Sequence, residues 1–383
     1  MKLTQKHKIK CIMFIPSMGN GGAERVMATI ANSLSEREYD ITIVTLTLST
    51  SFYKLNDSVK IINLGNTINR NNKLKEFITL FRSAINSFFS LNKIIKQKRP
   101  DVILSFLTHT NIFVLLSRPF NRKVPIIISE RAEPNERNIL YKILTKFLYP
   151  TADSLVCQSV KVSEFFPRYS QKKIRVIPNP INEESIPKNI PTQKRKSIVG
   201  VGRLFPQKNF NLLIDSFQMI QHKYPEHILE IYGEGYLRQE LENKIFEMGL
   251  QEKVFLRGIK KNVMQHISDA ELFVMSSDFE GFPNALVEAM ATGLPVISTD
   301  FSTGVAKEII KSENGLIVPV GDKKRLALAI TEILSNPEKQ LEMQKENRKI
   351  LSQLNQEVIV QEWHSLFIEH ISKYKTIMRD NIS

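Results

Sequence analysis

The stretch EGFPNALVEAMATGLPVISTD, residues 280–300, decides the fold class of this chain. It places two carboxylates, Glu280 and Glu288, eight residues apart, with a glycine, a phenylalanine and Pro283 directly after the first. Pro283 suits the first turn of a helix, so the pattern is typical of a strand end, a tight loop and a helix. In open α/β sheets such a junction is the usual place for a ligand.

Runs rich in Val and Ile alternate with amphipathic segments on both sides of that stretch. Strand-like runs separated by helices favour parallel sheets covered on both faces. The runs are KCIMFIP, ITIVTL, VKIINL, DVILSF, VPIIIS, SLVCQ and IRVIPN in the first half, and SIVGVG, ILEIYG, KVFLRG, ELFVMSS, PVIST and GLIVPV in the second. The polar segment 181–197, with two prolines and a charge run, predicts a linker. We therefore predict two doubly wound α/β domains in tandem.

Charge is distributed unevenly along the 383 residues. Residues 1–196 contain 32 Lys and Arg against 14 Asp and Glu, whereas the remainder contains 21 against 25. A basic half suggests nucleic acid, an anionic membrane surface or a phosphorylated substrate. Aromatic residues are not interleaved with the basic ones as in a single-strand binding platform, so we expect no nucleic-acid partner.

The N-terminus and the cysteines indicate the compartment. A short apolar run followed by glycines near residue 20 predicts a first strand rather than a signal peptide. No apolar run approaches the roughly 20 residues of a membrane-spanning helix. Cys11 and Cys157 each fall inside a predicted strand, and we expect buried free thiols in a reducing compartment. These features predict a cytoplasmic protein.

Glycine-rich loops follow several predicted strands. SMGNGGAERV, residues 17–26, joins the first strand to the first helix, and such a helix N-terminus can bind an anion or can be a tight turn only. A dinucleotide enzyme would also need an acid at the end of the second strand. That strand ends in TLTLST with no acid, which argues against NAD.

Two cations open the predicted second domain. Arg203 and Lys208 flank the loop in VGVGRLFPQKN, where a guanidinium and an ammonium suit a pyrophosphate, unless both are solvated. Glu280 and Glu288 suit sugar hydroxyls, because a carboxylate accepts two hydroxyl hydrogen bonds. The alternative is that Glu280 serves the helix dipole and Glu288 lies on a solvated face.

Taken together, these motifs resemble glycosyltransferase family 4, whose retaining enzymes have the GT-B fold and an E-x7-E signature. The matching motifs, in the family's order, are GNGGAERV, SFLTHTN, ISERAEP, VIPNP, VGRLFPQKN, YGEG, FLRG, EGFPNALVEAMATGLPVIST and NGLIVPVGD. The resemblance implies two Rossmann-like domains facing across a cleft, with a C-terminal helix returning to the first. We set the domains at 1–190, joined by about 365–383, and 191–364.

The resemblance also implies roles for individual residues at the matching positions. Glu288 would hold the ribose of the donor, and Glu280 would lie beside its hexose. Arg203 and Lys208 would neutralise the pyrophosphate. The other implied donor contacts are Gly21, Gly22, Arg257, Gly258, Gly281, Phe282, Asn284 and Ala285. His109, in SFLTHTN, matches a position that faces the sugar, although a lone His after a strand is also common as a structural residue.

The implied reaction transfers a hexose or N-acetylhexosamine, with retention, from a nucleotide sugar to a hydroxyl of a lipid-linked or surface glycan. The resemblance implies no metal and no other cofactor, and it favours UDP as the nucleotide. Asp278 and Glu280 look like a metal-binding D-x-D pair, but Glu280 already belongs to E-x7-E. The family's Gly-Pro is replaced by Val305 and Ala306, which puts donor-sugar contacts there in doubt.

The residues 73–98 have the pattern of a long helix with one broad apolar face. This face comprises Leu74, Phe77, Ile78, Leu80, Phe81, Ile85, Phe88, Phe89 and Leu91. It fits a core helix or a helix embedded in an anionic leaflet. With the basic half, it predicts a peripheral enzyme on the inner face of the cell membrane. The alternatives are a nucleotide-sugar epimerase of the same fold and a non-catalytic membrane-associated subunit.

Overall fold

The computed structural model describes residues 8–65, 73–131, 139–166, 171, 173–181, 183–191 and 193–380, with the side chains of 73–84 and 379–380 outside that description. The chain divides into two units. The first comprises Met1–Pro180 and Glu357–Ser383, and the second comprises Ile181–Gln356. Each unit has its own parallel sheet with helices between successive strands, so the α/β prediction is confirmed.

The first unit has a seven-stranded sheet in its described part, in the order β3-β2-β1-β4-β5-β6-β7, with every pairing parallel. The strands are β1 Ile9–Ile15, β2 Tyr39–Thr45, β3 Lys60–Asn63, β4 Val102–Phe106, β5 Ile126–Ser129, β6 Ser154–Cys157 and β7 Ile174–Val176. The helices are α1 Gly22–Ser35, α2 Lys73–Lys98, α3 Thr108–Leu116, α4 Ile139–Leu148 and α5 Val160–Ser163, with 3-10 turns at Arg118–Phe120 and Tyr149–Thr151. The central strands are buried on both faces, which explains their continuous apolar runs.

The second unit has a six-stranded parallel sheet in its described part, in the order β10-β9-β8-β11-β12-β13. The strands are β8 Arg195–Val201, β9 Ile228–Tyr232, β10 Val254–Gly258, β11 Ala270–Met275, β12 Val296–Thr299 and β13 Gly315–Val318. The helices are α6 Phe210–Ile220, α7 Arg238–Glu247, α8 Val263–Ile267, α9 Asn284–Ala291, α10 Val305–Ile309, α11 Lys323–Leu334, α12 Pro337–Arg348 and α13 Ile350–Gln353, with 3-10 turns at Glu183–Ser185 and Pro206–Lys208.

The C-terminal helix α14, Gln356–Asp380, packs on the first unit. Trp363 and Phe367 are fully buried in that unit's core. The Trp363 ring lies 6.0 Å, centroid to centroid, from Phe106 at the end of β4. Tyr39 Oη and His364 Nδ1 share a hydrogen bond of 2.8 Å. The predicted apolar stripe and the return of this helix to the first domain are therefore confirmed.

The segment predicted as a linker packs on the second unit. The first unit ends at Pro180, ten residues before the boundary set at 190 from the sequence. The Ile181 N–H donates to the Leu354 carbonyl at 3.0 Å, and the Ile186 side chain is buried. Composition alone does not show these contacts, because a few apolar side chains anchor an otherwise polar segment.

The C-terminal half of α2 packs one face against the core and leaves apolar side chains of another face exposed. Ser87, Leu91 and Ile95, spaced four residues apart, are buried. Ile85 and Phe89 are 41% and 67% exposed. The rest of the predicted apolar face stays a prediction, because its side chains are not among those described. These residues are Leu74, Phe77, Ile78, Leu80 and Phe81.

Both cysteines are buried and free, as predicted, and burial raises the pKa of the Cys11 thiol above its usual range. Among the described helices, none has both the length and the apolar character needed to cross a membrane.

Candidate active site

The carboxyl ends of β8 and β11 form the centre of the candidate site in the second unit. These strands are neighbours, yet the chain leaves them in opposite directions: β9 and β10 follow on one side, β12 and β13 on the other. Such a switch point is where open α/β sheets bind ligands. The loop after β8 contains Arg203 and Lys208, and the loop after β11 contains Glu280. The fold thus brings predicted residues from two separate motifs to one edge of the sheet.

Lys208 and Glu280 form an ion pair between these two loops. Their side chains are 15% and 7% exposed, so the interpretation of Lys208 as a solvated cation is wrong. The Ser277 hydroxyl donates to Glu280 Oε1 at 2.6 Å, and Gln207 Nε2 donates to Oε2 at 3.3 Å. One buried carboxylate therefore orients an ammonium, a hydroxyl and an amide around itself.

Further hydrogen bonds fix the two loops to each other. The Ser276 hydroxyl donates to the Lys208 carbonyl at 2.8 Å, and the Thr303 hydroxyl donates to the Glu280 carbonyl at 3.0 Å. Gln207 Nε2 also donates to a backbone carbonyl, that of Phe279, at 2.9 Å. Neither these polar residues nor Ser277 was predicted from the sequence.

Asp278 accepts a hydrogen bond from Asn209, the residue that caps the start of α6. Asn209 Nδ2 donates to Asp278 Oδ1 at 2.7 Å, and the Asp278 N–H donates to the Gln207 carbonyl at 2.9 Å. Asn209 has a positive φ of 43° and caps α6 by accepting the Leu212 N–H at 3.1 Å. In the D-x-D-like pair, Asp278 thus helps to hold the loop after β11 against the helix start.

Two glycines allow the loops at this edge to approach closely. The Gly202 N–H donates to the Tyr232 carbonyl at 2.9 Å. A Cβ at Gly233, whose φ is +149°, would lie 1.8 Å from the Gly202 carbonyl oxygen. A Cβ at Gly202 would lie 3.0 Å from the aliphatic chain of Lys208. Glycine at 233 therefore lets the two loops approach, and glycine at 202 leaves room for the Lys208 side chain.

Arg203 is exposed beside the ion pair. Its guanidinium lies 5.0 Å from the centre of the Phe205 ring, and its Nη2 lies 3.4 Å from Gln207 Oε1. Gln207 thus links Arg203 to Glu280, with its amide oxygen toward the arginine and its amide nitrogen toward the carboxylate. The two predicted cations differ: Lys208 is partly buried and paired, whereas Arg203 is exposed.

Glu288 lies in α9 and is 5% exposed, so the interpretation of a solvated helix face is wrong. The small neighbours Ala289 and Ala291 are fully buried. At the start of α9, Gly281 and Phe282 are buried. Asn284 and Ala285 are partly exposed, but the Asn284 N–H, which the resemblance placed beside the sugar, donates to the Phe282 carbonyl at 3.0 Å.

Arg257 and Gly258 are the last residues of strand β10; Arg257 makes side-chain contacts and Gly258 makes a backbone hydrogen bond. The Arg257 Nε donates to the buried carboxylate of Glu230 at 2.8 Å, and the guanidinium lies over the Phe255 ring at 4.5 Å. Gly258, with a φ of +71°, accepts the Gly233 N–H at 3.0 Å. The Arg257 side chain is therefore occupied within the unit, and Gly258 joins the glycine loops at the sheet edge.

In the first unit, Gly21 and Gly22 lie at the start of α1, at the switch point between β1 and β4. The Tyr53 hydroxyl donates to the Gly21 carbonyl at 3.2 Å. A Cβ at Gly21 would lie 2.2 Å from Glu24 Oε2, so a carboxylate already stands near this helix N-terminus. An anion bound there would meet that charge, which the sequence analysis did not foresee.

His109 is exposed at the start of α3, with its ring 4.5 Å from that of Tyr141. The residue before α3, Leu107, has a φ of +74°. The Thr108 hydroxyl donates to Glu130 at 2.9 Å, and the Tyr149 hydroxyl donates to the same carboxylate at 2.5 Å. Glu130 is fully buried, so an internal carboxylate fixes the turn that presents His109.

Arg131, in the ISERAEP motif, is buried beside that carboxylate. Its guanidinium lies 4.2 Å from the centre of the Phe106 ring, and its Nε donates to the Ser129 hydroxyl at 3.0 Å. Burial lowers the pKa of Arg131 to about 9. The end of the motif, residues 132–134, lies outside the described residues. Over the part of the chain that is described, His, Cys, Asp and Glu side chains form no group of three or more suited to a metal ion.

Two family models match consecutive parts of the chain. "Glycosyltransferase Family 4" matches residues 20–185, and "Glycosyl transferases group 1" matches residues 181–350. An uncharacterized glycosyltransferase of Methanocaldococcus jannaschii is 31% identical over 67% of this chain and 68% of its own length. The second model spans the Lys208–Glu280 site.

Longer similarities extend over almost the whole chain. A Campylobacter jejuni alpha-1,4-N-acetyl-D-galactosaminyltransferase, named for an acceptor glycan joined through PP to undecaprenol, is 28% identical over 94% of this chain and 99% of its own. The solved structure of Anabaena HepE in complex with UDP is 17% identical, covers 94% of this chain and all of its own, and has a TM-score of 0.74. That structural likeness supports the fold alone.

Proposed function

Because the chain belongs to glycosyltransferase family 4 and has the GT-B fold, we propose that it moves a hexose or N-acetylhexosamine from a UDP-sugar to a hydroxyl of a lipid-linked or surface glycan. The observation that carries this proposal is the Lys208–Glu280 pair, in which a buried carboxylate holds a partly buried ammonium at the switch point of the second unit. Choosing UDP draws on the HepE complex, and choosing the acceptor draws on the Campylobacter relative.

The second unit binds the donor. Arg203 and Lys208 contact the diphosphate, and their positive charges stabilise the negative charge that grows on it as the sugar departs. Glu280 orients Lys208 and accepts a sugar hydroxyl. Glu288 accepts the ribose hydroxyls, while the N–H groups at the start of α9 approach the sugar or the phosphate.

The reaction replaces one bond at the sugar C1 with another. The bond from C1 to the diphosphate oxygen breaks, and the bond from C1 to the acceptor oxygen forms on the same face, so configuration is retained. The acceptor's proton passes to an oxygen of the departing diphosphate. This scheme needs no second carboxylate as nucleophile, unlike retaining glycosidases. It also needs no metal, because the two cations balance the developing charge.

The first unit binds the acceptor, with His109 on its exposed side. The basic character of residues 1–196 favours a diphosphate-linked lipid as the carrier of the acceptor glycan. We place the enzyme peripherally on the inner face of the cell membrane, where such a carrier is accessible. Among the alternatives, an epimerase would need an acid and a base at C4 or C2 of the sugar. We assign Lys208 and Glu280 to donor binding instead, which leaves this cluster without a separate acid–base pair for an epimerase.

The test is a transfer assay with radiolabelled UDP-, GDP- and ADP-sugars and a polyprenyl-diphosphate glycan in mixed micelles, with and without EDTA. We expect a lengthened, α-linked glycan from a UDP-sugar, at the same rate in EDTA. NMR of the product gives the anomeric configuration. A β-linked product would refute retention, and loss of activity in EDTA would refute metal independence. Interconversion of the nucleotide sugar without acceptor would identify an epimerase instead.

A further inference from the structure

Helix α4, Ile139–Leu148, has four large apolar side chains exposed, while Leu144 and Leu148 are partly buried. Ile139, Leu140, Ile143 and Phe147 are 74%, 58%, 47% and 69% exposed. The buried residue of this helix is Thr145. A helix on the surface of a globular domain normally turns its apolar stripe toward the core. The exposed apolar stripe of α4 therefore indicates a surface that is covered by something apolar.

The charges of α4 are all positive. Its sequence, ILYKILTKFL, contains Lys142 and Lys146 and no acidic residue, and both lysines are exposed. Bulky apolar side chains combined with lysines are the composition of helices that lie in a membrane interface. A lysine near an anionic leaflet is attracted to it, whereas a second copy of this helix would bring like charges together.

Neighbouring elements contribute further exposed apolar side chains. Helix α3 contacts α4 through the His109 and Tyr141 rings, and it contacts α2 through the Phe113 and Phe88 rings, 6.3 Å apart. Phe88 also contacts Phe120 at 6.0 Å. Further exposed apolar side chains on these elements are Phe89 at 67%, Leu116 at 47% and Phe120 at 73%. Exposed Arg122 and Lys123 follow Phe120 directly.

We propose that α4 is the element by which the protein lies on an anionic bilayer, with Ile139, Ile143 and Phe147 in the acyl boundary and Lys142 and Lys146 among the headgroups. This inference rests on the proposed function in one respect: a lipid-linked acceptor lies in the membrane to which α4 would bind the first unit. His109 contacts Tyr141 of α4, so the residue proposed to face the acceptor borders the membrane-binding helix. The sequence pattern pointed to α2 instead.

The test is sedimentation of the full chain with vesicles of phosphatidylcholine alone or with about 30 mol% phosphatidylglycerol, whose negative surface potential attracts lysines. We expect binding to the anionic vesicles that weakens as salt rises. Ile143→Ser/Phe147→Ser should weaken binding at least tenfold. Lys142→Gln/Lys146→Gln should weaken it by roughly fivefold per lysine at low salt. The matched control is Phe246→Ser, because Phe246 is 71% exposed on the second unit, and it should bind as wild type.

The outcomes separate this inference from the proposed function. Sugar transfer to an acceptor in detergent micelles should be the same for wild type and Ile143→Ser/Phe147→Ser, which also shows that the variant is folded. If transfer occurs and the α4 variants still bind vesicles as wild type, the inference fails alone. If light scattering shows a dimer that only the α4 variants lose, the face joins two copies and the inference fails. If vesicles bind through α4 but no sugar is transferred, the proposed function fails alone.

Discussion

Glu288 combines a charge with burial, which is the combination expected of a ligand-binding carboxylate in a helix. It is 5% exposed in α9, and its neighbours Ala289 and Ala291 are fully buried. We expect Glu288→Ala to lower transfer by roughly tenfold or more, chiefly by raising KM for the nucleotide sugar, because a lost ribose contact removes binding of both ground state and transition state. Steady-state kinetics against UDP-sugar measure this.

Glu288→Gln serves as the matched control for folding, because it keeps the size of the side chain. Circular dichroism of both variants should match wild type. Wild-type kinetics in Glu288→Ala would remove this residue from the donor site and would leave its burial without a functional explanation.

Single residues were also where prediction from sequence had its limit. The types and positions of Lys208, Glu280 and Glu288 were visible in motifs. Their partners Ser277 and Gln207 were not, because a hydroxyl or amide contact depends on the path of a loop, and loop paths depend on tertiary packing. Glu24, whose carboxylate lies beside Gly21, was hidden for the same reason.

Elements were predicted well where their pattern was unambiguous. The runs of Val and Ile became strands because both faces of each sheet are covered, which only apolar side chains tolerate. For helix α4, by contrast, the sequence did not predict which side is exposed. A periodic apolar pattern identifies a helix but does not say whether its apolar stripe faces the core or the outside. That choice is made by the neighbours, α3 among them.

Helix α14 joins the first unit through one large anchor. Trp363 is fully buried against Phe106 and Phe367. We expect Trp363→Ala to destabilise the first unit by about 3–5 kcal/mol, because it leaves a large cavity in a packed core. Differential scanning calorimetry should show an earlier transition for that unit and an unchanged UDP-dependent transition for the second. Ser365→Ala, at an exposed position of the same helix, should unfold as wild type; equal Tm values for Trp363→Ala and Ser365→Ala would show that the helix does not hold the unit together.

The same helix should make stability depend on pH. Burial lowers the pKa of His370 below its usual value, and the carboxylates of Asp153 and Glu369 only partly oppose this. A folded pKa below the unfolded one means that the unfolded chain takes up the proton first. The stabilising effect of the neutral imidazole is thus complete above the unfolded pKa, about 6.5, and is lost as pH falls through that value toward the folded pKa.

We therefore expect the wild-type Tm to fall more between pH 7.5 and pH 5.5 than the Tm of His370→Gln does. His222→Gln, at an exposed position of the second unit, should keep the wild-type dependence on pH. If His370→Gln and wild type lose the same amount of stability over this range, His370 is not the group that titrates.

At the scale of the whole molecule, two Rossmann-like units divide the work. The second unit supplies a partly buried cation–carboxylate pair at its switch point, and the first supplies a basic body, an exposed His109 and a helix with an exposed apolar stripe. The fold class and the family were predictable because they depend on many weak motifs in a fixed order. The membrane-binding element was not, because it depends on which face of one helix remains exposed.

The central claim is that the Lys208–Glu280 cluster binds a nucleoside diphosphate, and calorimetric titration of UDP tests it most directly. The matched control is Lys244→Met, because Lys244 forms an ion pair of its own with Asp215 in the same unit, on helices away from the switch point. We expect UDP to bind wild type and Lys244→Met equally and to bind Lys208→Met roughly tenfold more weakly or worse, the loss expected of one charge-assisted contact. Equal affinity of UDP for Lys208→Met and wild type would contradict the central claim.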